Sequence, residues 1–528
     1  MTRTLRRSLL AALAATLLLC PSAFAGKGFS FGVTAGEVSS SSAILWAHAK
    51  KRGRFTLQVA SDSRFRRIVA SQRVRAIKGN DYTVQARVGR LEPGKRHYYR
   101  FRGSGGRRSD RGTFVTAPRP NQNRTVEFAY TGDTDLSAAP GQSKPYWNDG
   151  GVFRRMRAER NAFNIHFGDT IYSDSEIPGL LQPIALTVPA KWAKYRINVG
   201  NRNLRALRGS AGFFSHWDDH EFVNDFSPNE NTFSNDVNID GRVLYRRSVQ
   251  AFRDYSPVRY TTRDGIYRRV RWGRNVELFF LDQRSFRSAK ADEGGVCNNP
   301  QSGEPDLAPT APQSTRDFFS AVVPALAQPV SQACLDAIRS PDRTYLGQRQ
   351  LSRFLRDVKR SNARFKIMMN ELPIQQYYVL PYDRWEGYEA ERQQVLRELR
   401  NVKNIVFLTT DVHATLVNDA RFQTLESGGA RNSGIMDITV GPAATANFGL
   451  EIETEVGIPG AGALVDTTFF EPRPPAGVGM QCSVLDQFSY GQVSVSSDQL
   501  VITPKGIDGR QQSDDGQPCG PFVMNFER

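Results

Sequence analysis

From Phe29 to about Pro118 the chain alternates apolar and polar residues in short runs. Ala43-Ile44-Leu45-Trp46-Ala47, Phe55-Thr56-Leu57-Gln58-Val59 and Thr83-Val84-Gln85-Ala86-Arg87-Val88 are examples, each bounded by turn residues. Period-two runs of this length predict half-buried strands, and several in series predict an all-β sandwich. Residues 118–123 read as a linker, and beyond it the pattern changes. Strand-length apolar runs at 126–130, 162–167, 276–281, 365–369 and 405–410 are interleaved with helical spacing. Leu351, Phe354, Leu355 and Val358 fall at i, i+3, i+4 and i+7, and 152–160 and 391–402 are further predicted helices. Strand–helix alternation predicts a layered α/β domain. From Asp437 onward the chain is β-rich again, as at 493–495 and 500–502.

A length of 528 residues exceeds one ordinary domain, and 39% hydrophobic residues with no repeat or low-complexity tract is a globular composition. The first 25 residues read as an export signal. Arg3, Arg6 and Arg7 precede an apolar run from Leu9 to Leu19, and Ala23-Phe24-Ala25 is a small-x-small cleavage site. The arginine pair followed by Ser8-Leu9-Leu10 suits either the twin-arginine route or an ordinary secretory signal. Either one predicts a periplasmic, extracellular or cell-surface protein. No other segment is apolar enough to span a membrane. The predicted domains are therefore 26–118 and 124–528. Within the second, 289–342 is rich in Pro, Gly and Ser and reads as an insertion, near the mouth of a site or a plain surface excursion. Four cysteines lie outside the signal, Cys297, Cys334, Cys482 and Cys519; proximity favours Cys297–Cys334 and Cys482–Cys519 among three connectivities. A formal charge of +17 predicts attraction to anions such as phosphorylated substrates or wall polymers. The charge is spread along the chain rather than gathered into a dense tract, which argues against nucleic acid. Leu91 to Phe101, with its turn and tyrosines, resembles fibronectin type III-like domains. His48 and His97 lie inside the sandwich and read as packing or surface residues rather than ligands, and His166, inside its strand run, as a core residue.

Candidate chemistry sits where apolar runs stop. The first run of the α/β part leads to Asp133, with Asp135 two residues on. The second ends in Gly168-Asp169-Thr170-Ile171-Tyr172. Phe213 to Trp217 leads into Asp218-Asp219-His220-Glu221, and the last strand ends in Asp411-Val412-His413. Any one of these is weak evidence; a lone Gly-Asp is more often a turn. All four at the expected edge of one sheet are stronger, because that many carboxylates buried together need cations. The mixed oxygen and nitrogen donors suit Fe, Mn, Zn or Ca.

The chain resembles the PhoD-like alkaline phosphatases, within the wider calcineurin-like and purple acid metallophosphatase group. The resemblance rests on Gly168-Asp169-x-x-Tyr172, Trp217-Asp218-Asp219-His220-Glu221, Leu281-Asp282-x-Arg284, Asp383-Arg384-Trp385-Glu386-Gly387-Tyr388 and Asp411-Val412-His413. It implies a fibronectin type III-like sandwich followed by a metallophosphatase β-sandwich flanked by helices. It implies two or more metal ions: one, ferric, on Asp133, Asp169, Tyr172 and His413, and a second on Asp169, Asp219, Asp411 and Asn370 or Glu371. The second would be Ca2+ or another divalent ion such as Zn2+ or Mn2+. PhoD-type members often carry a cysteine where this chain has Asp133; purple phosphatases carry aspartate. Asp135 is an added ligand or a neighbour of one, and Asp218 a neighbour. The implied activity is hydrolysis of phosphomonoesters, phosphodiesters or both by hydroxide generated between two cations. His220 is the expected proton donor, or else orients Asp219. Arg284 is expected to bind a phosphate oxygen, or else to pair with Asp282. A phosphodiesterase or phospholipase specialised for wall or lipid esters is the enzymatic alternative, with contact to a wall or membrane surface. A non-catalytic surface-binding protein with a structural metal site is the alternative of another class.

Overall fold

The structure, a computed structural model, describes residues 28–234, 237–426 and 431–528. The export signal falls outside the described residues. Two large sheets pack face to face. From one edge the nine-stranded sheet runs Phe522–Asn525, Gln499–Gly506, Ser489–Val495, Val126–Thr131, Phe163–Phe167, Gly212–His216, Phe29–Gly36, Ala43–Ala49 and Thr83–Val88. The seven-stranded sheet runs Arg268–Trp272, Val276–Phe280, Phe365–Met369, Ile405–Thr409, Asn432–Thr439, Thr415–Arg421 and Cys482–Val484. Strands Val126–Thr131, Phe163–Phe167 and Gly212–His216 are parallel neighbours, as are Val276–Phe280, Phe365–Met369, Ile405–Thr409 and Asn432–Thr439. Phe163–Phe167, Gly212–His216, Val276–Phe280 and Ile405–Thr409 are buried at every residue, so both of their faces are covered.

The helical spacing of Leu351, Phe354, Leu355 and Val358 meets a helix in the structure. Helix Gln348–Arg360 buries Leu351, Phe354, Leu355 and Val358 against the outer face of the seven-stranded sheet. Between the sheets, Phe163 lies 4.6 Å from Trp272 and Phe214 5.8 Å from Phe280, ring centre to ring centre. Aromatic and branched side chains from both inner faces thereby form one core, and the phenol of Tyr130 donates across it to Ile438 O at 3.0 Å.

One expectation is corrected. The chemistry-bearing strand ends were expected at the edge of a single sheet, but they belong to two. Asp133, Asp169 and Asp219 follow strands of the nine-stranded sheet, whereas Asp411 and His413 follow a strand of the seven-stranded one. Periodicity identifies a strand but not the sheet it joins.

The N-terminal residues form a sandwich, with a four-stranded sheet of Ile68–Ala76, Gly53–Ala60, Arg96–Gly103 and Gly112–Val115 opposite Phe29–Gly36, Ala43–Ala49 and Thr83–Val88. This second half is continuous with the parallel strands of the nine-stranded sheet through a pairing of Ala35 with Gly212. Residues 289–342 hold helices Gln313–Phe319 and Gln332–Arg339, closed by a Cys297–Cys334 disulfide; Cys482 pairs with Cys519. His48, His97 and His166 are buried. No helix among the described residues is long and apolar enough to cross a membrane.

Candidate metal centre

The ends of the parallel strands from both sheets converge on one place. Asp133, Asp169, Asp411 and His413 all take positive φ, at 59°, 44°, 71° and 57°. Left-handed backbone at four non-glycine residues is costly and clusters where side chains are aimed at a site. Glycines make the room. Gly168 has φ 85°, and a Cβ there would meet the Asp218 Cβ at 2.9 Å. A Cβ at Gly441 would lie 2.5 Å from Asp133 Oδ2.

Hydrogen bonds fix the loops. Asn198 Nδ2 donates to Thr134 O and Thr170 O, both at 2.8 Å. Glu221 accepts from the backbone N–H groups of Thr170 and Asp218, at 2.5 and 2.7 Å, which binds the loop after Phe167 to the loop after His216. The fully buried Lys191 donates from Nζ to Ser173 Oγ at 2.7 Å and to Glu221 O and Phe222 O, both at 2.9 Å. Burial pulls the pKa of this amine down to about 7, against the opposing pull of Asp174 and Glu221.

Two groups of donors share Asp169. Asp133, Asp169 and His413 form one; Asp169, Asp218, Asp219 and Asp411 form the other. Within each, one ligand atom per residue lies within 4.8 Å of the rest. Asp219 also groups with Asp169 and His220, and with Asp225 and Asp383. Tyr172 Oη lies 2.8 Å from His413 Nε2, which brings the phenol to the first group. The electrostatics point to missing positive charge. Burial pushes the Asp133 carboxyl up to about 7, against the pull of His413. Burial, then repulsion by Asp219, holds Asp169 well above the usual carboxylate range; Asp411 is raised by burial and by Asp218 and Asp219. Asp133 Oδ2 and Asp218 Oδ2 are buried with no hydrogen-bond partner. Crowded carboxylates with orphaned oxygens are the environment that divalent or trivalent cations resolve, so the residues present fit a cation pair.

The other expected residues find definite partners. His220 donates its backbone N–H to Asp169 Oδ1 at 3.0 Å and to Asp219 Oδ1 at 2.9 Å. Its ring stacks on Tyr172 with centres 4.0 Å apart, and its Nδ1 lies 2.7 Å from Asp174 Oδ1. Burial lowers the affinity of this imidazole for a proton, but Asp174, Asp219 and Asp169 outweigh it and raise its pKa well above the ordinary value. Arg284 is fully buried: Nε reaches Asp218 Oδ1 at 2.5 Å, and one terminal nitrogen reaches Asp383 at 2.8 Å. The other terminal nitrogen has no hydrogen-bond partner and lies 3.7 Å from Asp219 and 3.9 Å from Asp411. Asp282 does not hold this guanidinium. Its carboxylate accepts from Trp217 Nε1, the Ile266 N–H and Ser285. Asp135 accepts from Ser137 N–H and Ser175 Oγ. Glu371 lies 2.7 Å from His216 Nδ1 in a fully buried pair. Asn370 Nδ2 donates to Leu372 O, and its Oδ1 accepts from Trp385 Nε1 at 3.2 Å with a lone pair to spare.

Sequence reasoning missed Asp174, Asp225, Glu451 and the part Asp383 plays. Asp174 is two residues beyond Tyr172, so the motif stopped short of it. Glu451 accepts from His413 Nδ1 and sits on helix Phe448–Val456, where no motif marks it. Burial lowers His413, but Glu451 and Asp133 carry it up to about 9.

The family model described as PhoD-like phosphatase matches residues 139–465, and that of the PhoD-like phosphatase N-terminal domain matches residues 13–118. A solved structure of PhoD is similar with a TM-score of 0.69 at 19% identity, covering 95% of this chain and 90% of that one. Purple acid phosphatase PPD1 from yellow lupin (Lupinus luteus) seeds is similar with a TM-score of 0.54 at 10% identity, covering 94% and 74%. At these identities the likeness is one of fold. No curated protein matches the sequence.

Proposed function

This chain belongs to the PhoD-like phosphatase family and is therefore a phosphoesterase hydrolase, and on that premise we propose that it is an exported enzyme using two metal ions to cleave phosphomonoesters, phosphodiesters or both. The observation that carries this reading is the sharing of Asp169 between two donor groups at the convergence of two sheets. Asp133, Asp169, Tyr172 and His413 would hold one ion; phenolate, imidazole and carboxylates suit Fe3+. Asp169, Asp219 and Asp411, with Asn370 as neutral donor, would hold Ca2+, Zn2+ or Mn2+. A bound pair supplies Lewis acidity, neutralising phosphate charge and stabilising the entering and leaving oxygens.

The protein's own residues do the rest. Asp174 fixes the imidazole of His220 through Nδ1, leaving Nε2 to give a proton to the departing alkoxide. Arg284 holds Asp218 and Asp383 with two arms of its fork and keeps the third for a phosphate oxygen. Lys191, Glu221 and Asn198 keep the loops that carry these groups in register. Two disulfides support an oxidising compartment, in line with the leader-like first 25 residues.

Turnover of bis(p-nitrophenyl) phosphate beside p-nitrophenyl phosphate, by metal-loaded wild type and Asp169→Ala, tests the reading. Wild type is expected to hydrolyse at least one ester and Asp169→Ala to lose 10³-fold or more, about the scale expected when a shared ligand removes both ions. Equal turnover by the two proteins contradicts it.

A further inference from the structure

The N-terminal sandwich is open along one side, where a cleft of about 710 Å³ lies between it and helix Gly241–Tyr255. Strand Ile68–Ala76 is the edge of the four-stranded sheet and supplies Gln72, Arg73, Val74 and Arg75 to the cleft. Successive side chains of a strand point to opposite faces, so a strand that lines a cleft with four consecutive residues turns its edge to it. The strand pairs with Gly53–Ala60, and among the described residues nothing hydrogen-bonds to its other side. Alternate N–H and C=O groups along its nine residues are therefore left to solvent. Ile68 and Val69 on the same strand are 41% and 49% exposed. Sheets ordinarily keep such edges short or covered, because they are templates for another strand. The cleft is also basic. Arg73 and Arg75 line its strand wall and Arg246 and Arg253 its helix wall, and none of the four makes an ion pair among the described residues. Asp254 is the one carboxylate among the described lining residues; it accepts from Trp192 Nε1 at 2.9 Å, and burial pushes it up to about 7.

Unpaired guanidinium groups attract anions of every kind, but an unpaired strand edge is matched only by another polypeptide backbone. A second copy of this chain, at a formal charge of +17, is repelled. We propose that the cleft is a docking site for an extended acidic segment of a partner protein, which adds as a strand to Ile68–Ala76 and sets its carboxylates against Arg73, Arg75, Arg246 and Arg253. Backbone pairing supplies affinity, and the carboxylate–guanidinium pairs select the sequence. None of the lining residues belongs to the two donor groups of the metal centre, so the proposal goes beyond the phosphoesterase reading and does not depend on it.

The test is fluorescence anisotropy of a labelled octapeptide of alternating threonine and glutamate with the full chain, at about 0.15 M salt, where distant charges are screened. Two further probes are the same peptide with every amide N-methylated, which keeps the charge but cannot pair as a strand, and its threonine–lysine counterpart. The parent peptide is expected to bind with a Kd below about 1 mM, and both other probes to bind at least about tenfold more weakly. Arg73→Glu with Arg75→Glu, and separately Arg246→Glu with Arg253→Glu, are each expected to weaken the parent peptide by a similar factor while melting at the wild-type temperature. The second pair lies on the helix, so it reads the cleft even if the strand pair disturbs the sandwich, and the methylated probe needs no variant. A methylated peptide bound as tightly as the parent means that the cleft reads charge alone, as for any polyanion, and overturns the proposal. So does an absence of binding by the parent peptide, or undiminished binding by the helix variant. A wild-type dimer in sedimentation that the strand variant dissociates also overturns it, since the edge is then taken by a second copy.

Discussion

At the scale of single residues the site depends on side chains held by partners of their own. His220 is the clearest case. Its backbone N–H touches two candidate ligands, its ring lies on Tyr172, and Asp174 fixes its Nδ1. Asp174 also accepts from the Asn224 N–H at 2.6 Å, so it joins two loops as well as orienting the ring. Asp174→Asn keeps an acceptor for Asn224 but no longer offers a carboxylate to Nδ1. The expected result is a fall in kcat of about 10²-fold, within the range of a misplaced general acid, with KM changed less than threefold. A purely structural role for Asp174 would instead lower thermal stability and move both constants. Asp169, Tyr172, Asp219 and His413 were legible in the sequence because each follows an apolar run within a recognisable spacing. Asp174 and Glu451 were not, because their roles arise from contacts across 46 and 38 residues that no local spacing records.

Among the elements, strand Phe163–Phe167 is fully buried and brings Asp169 to the site. Its apolar run made it legible, and His166 was rightly read as a core residue. His166 Nε2 lies 2.8 Å from Thr134 Oγ1, and burial pulls its pKa down to about 3, with Arg208 adding to the effect. The folded state therefore keeps this imidazole neutral, whereas the unfolded chain takes up a proton below about pH 6.5. The resulting contribution is fully present above pH 6.5 and is lost as pH falls, by about 1.4 kcal/mol per pH unit. Urea unfolding at pH 7, 6 and 5 is expected to show a shallower acid loss for His166→Gln than for wild type, by close to one proton. Parallel curves would mean that His166 is charged in the folded protein or reached by water. The pairing of strands between two sheets was not legible. An apolar run carries no mark of its neighbour, and that choice is made by packing such as Phe163 on Trp272 and Phe214 on Phe280.

For the whole molecule, the N-terminal sandwich, the two catalytic sheets and the insertion act as one support. The sandwich prolongs the catalytic sheet, and its Trp46 Nε1 donates to Asp254 O at 2.8 Å on helix Gly241–Tyr255. The insertion reaches the acidic groups through Lys290, whose Nζ lies 3.2 Å from Asp225 Oδ2. Alternating runs distinguished the sandwich from the α/β part, but the continuity of their sheets depends on Ala35 meeting Gly212, 177 positions apart in a chain of 528 residues. The placing of the insertion likewise depends on contacts that its Pro-, Gly- and Ser-rich composition does not encode.

The central claim is that Asp169 joins two cation sites built from the ends of two different sheets. Metal content per chain, by elemental analysis of protein purified without chelators and of Asp169→Ala prepared alongside, tests it most directly. Two or more metal ions are expected per wild-type chain, and the variant is expected to lose at least one while retaining its fold by circular dichroism. Wild type that binds no metal even after loading, or a variant that keeps the full complement, would contradict it.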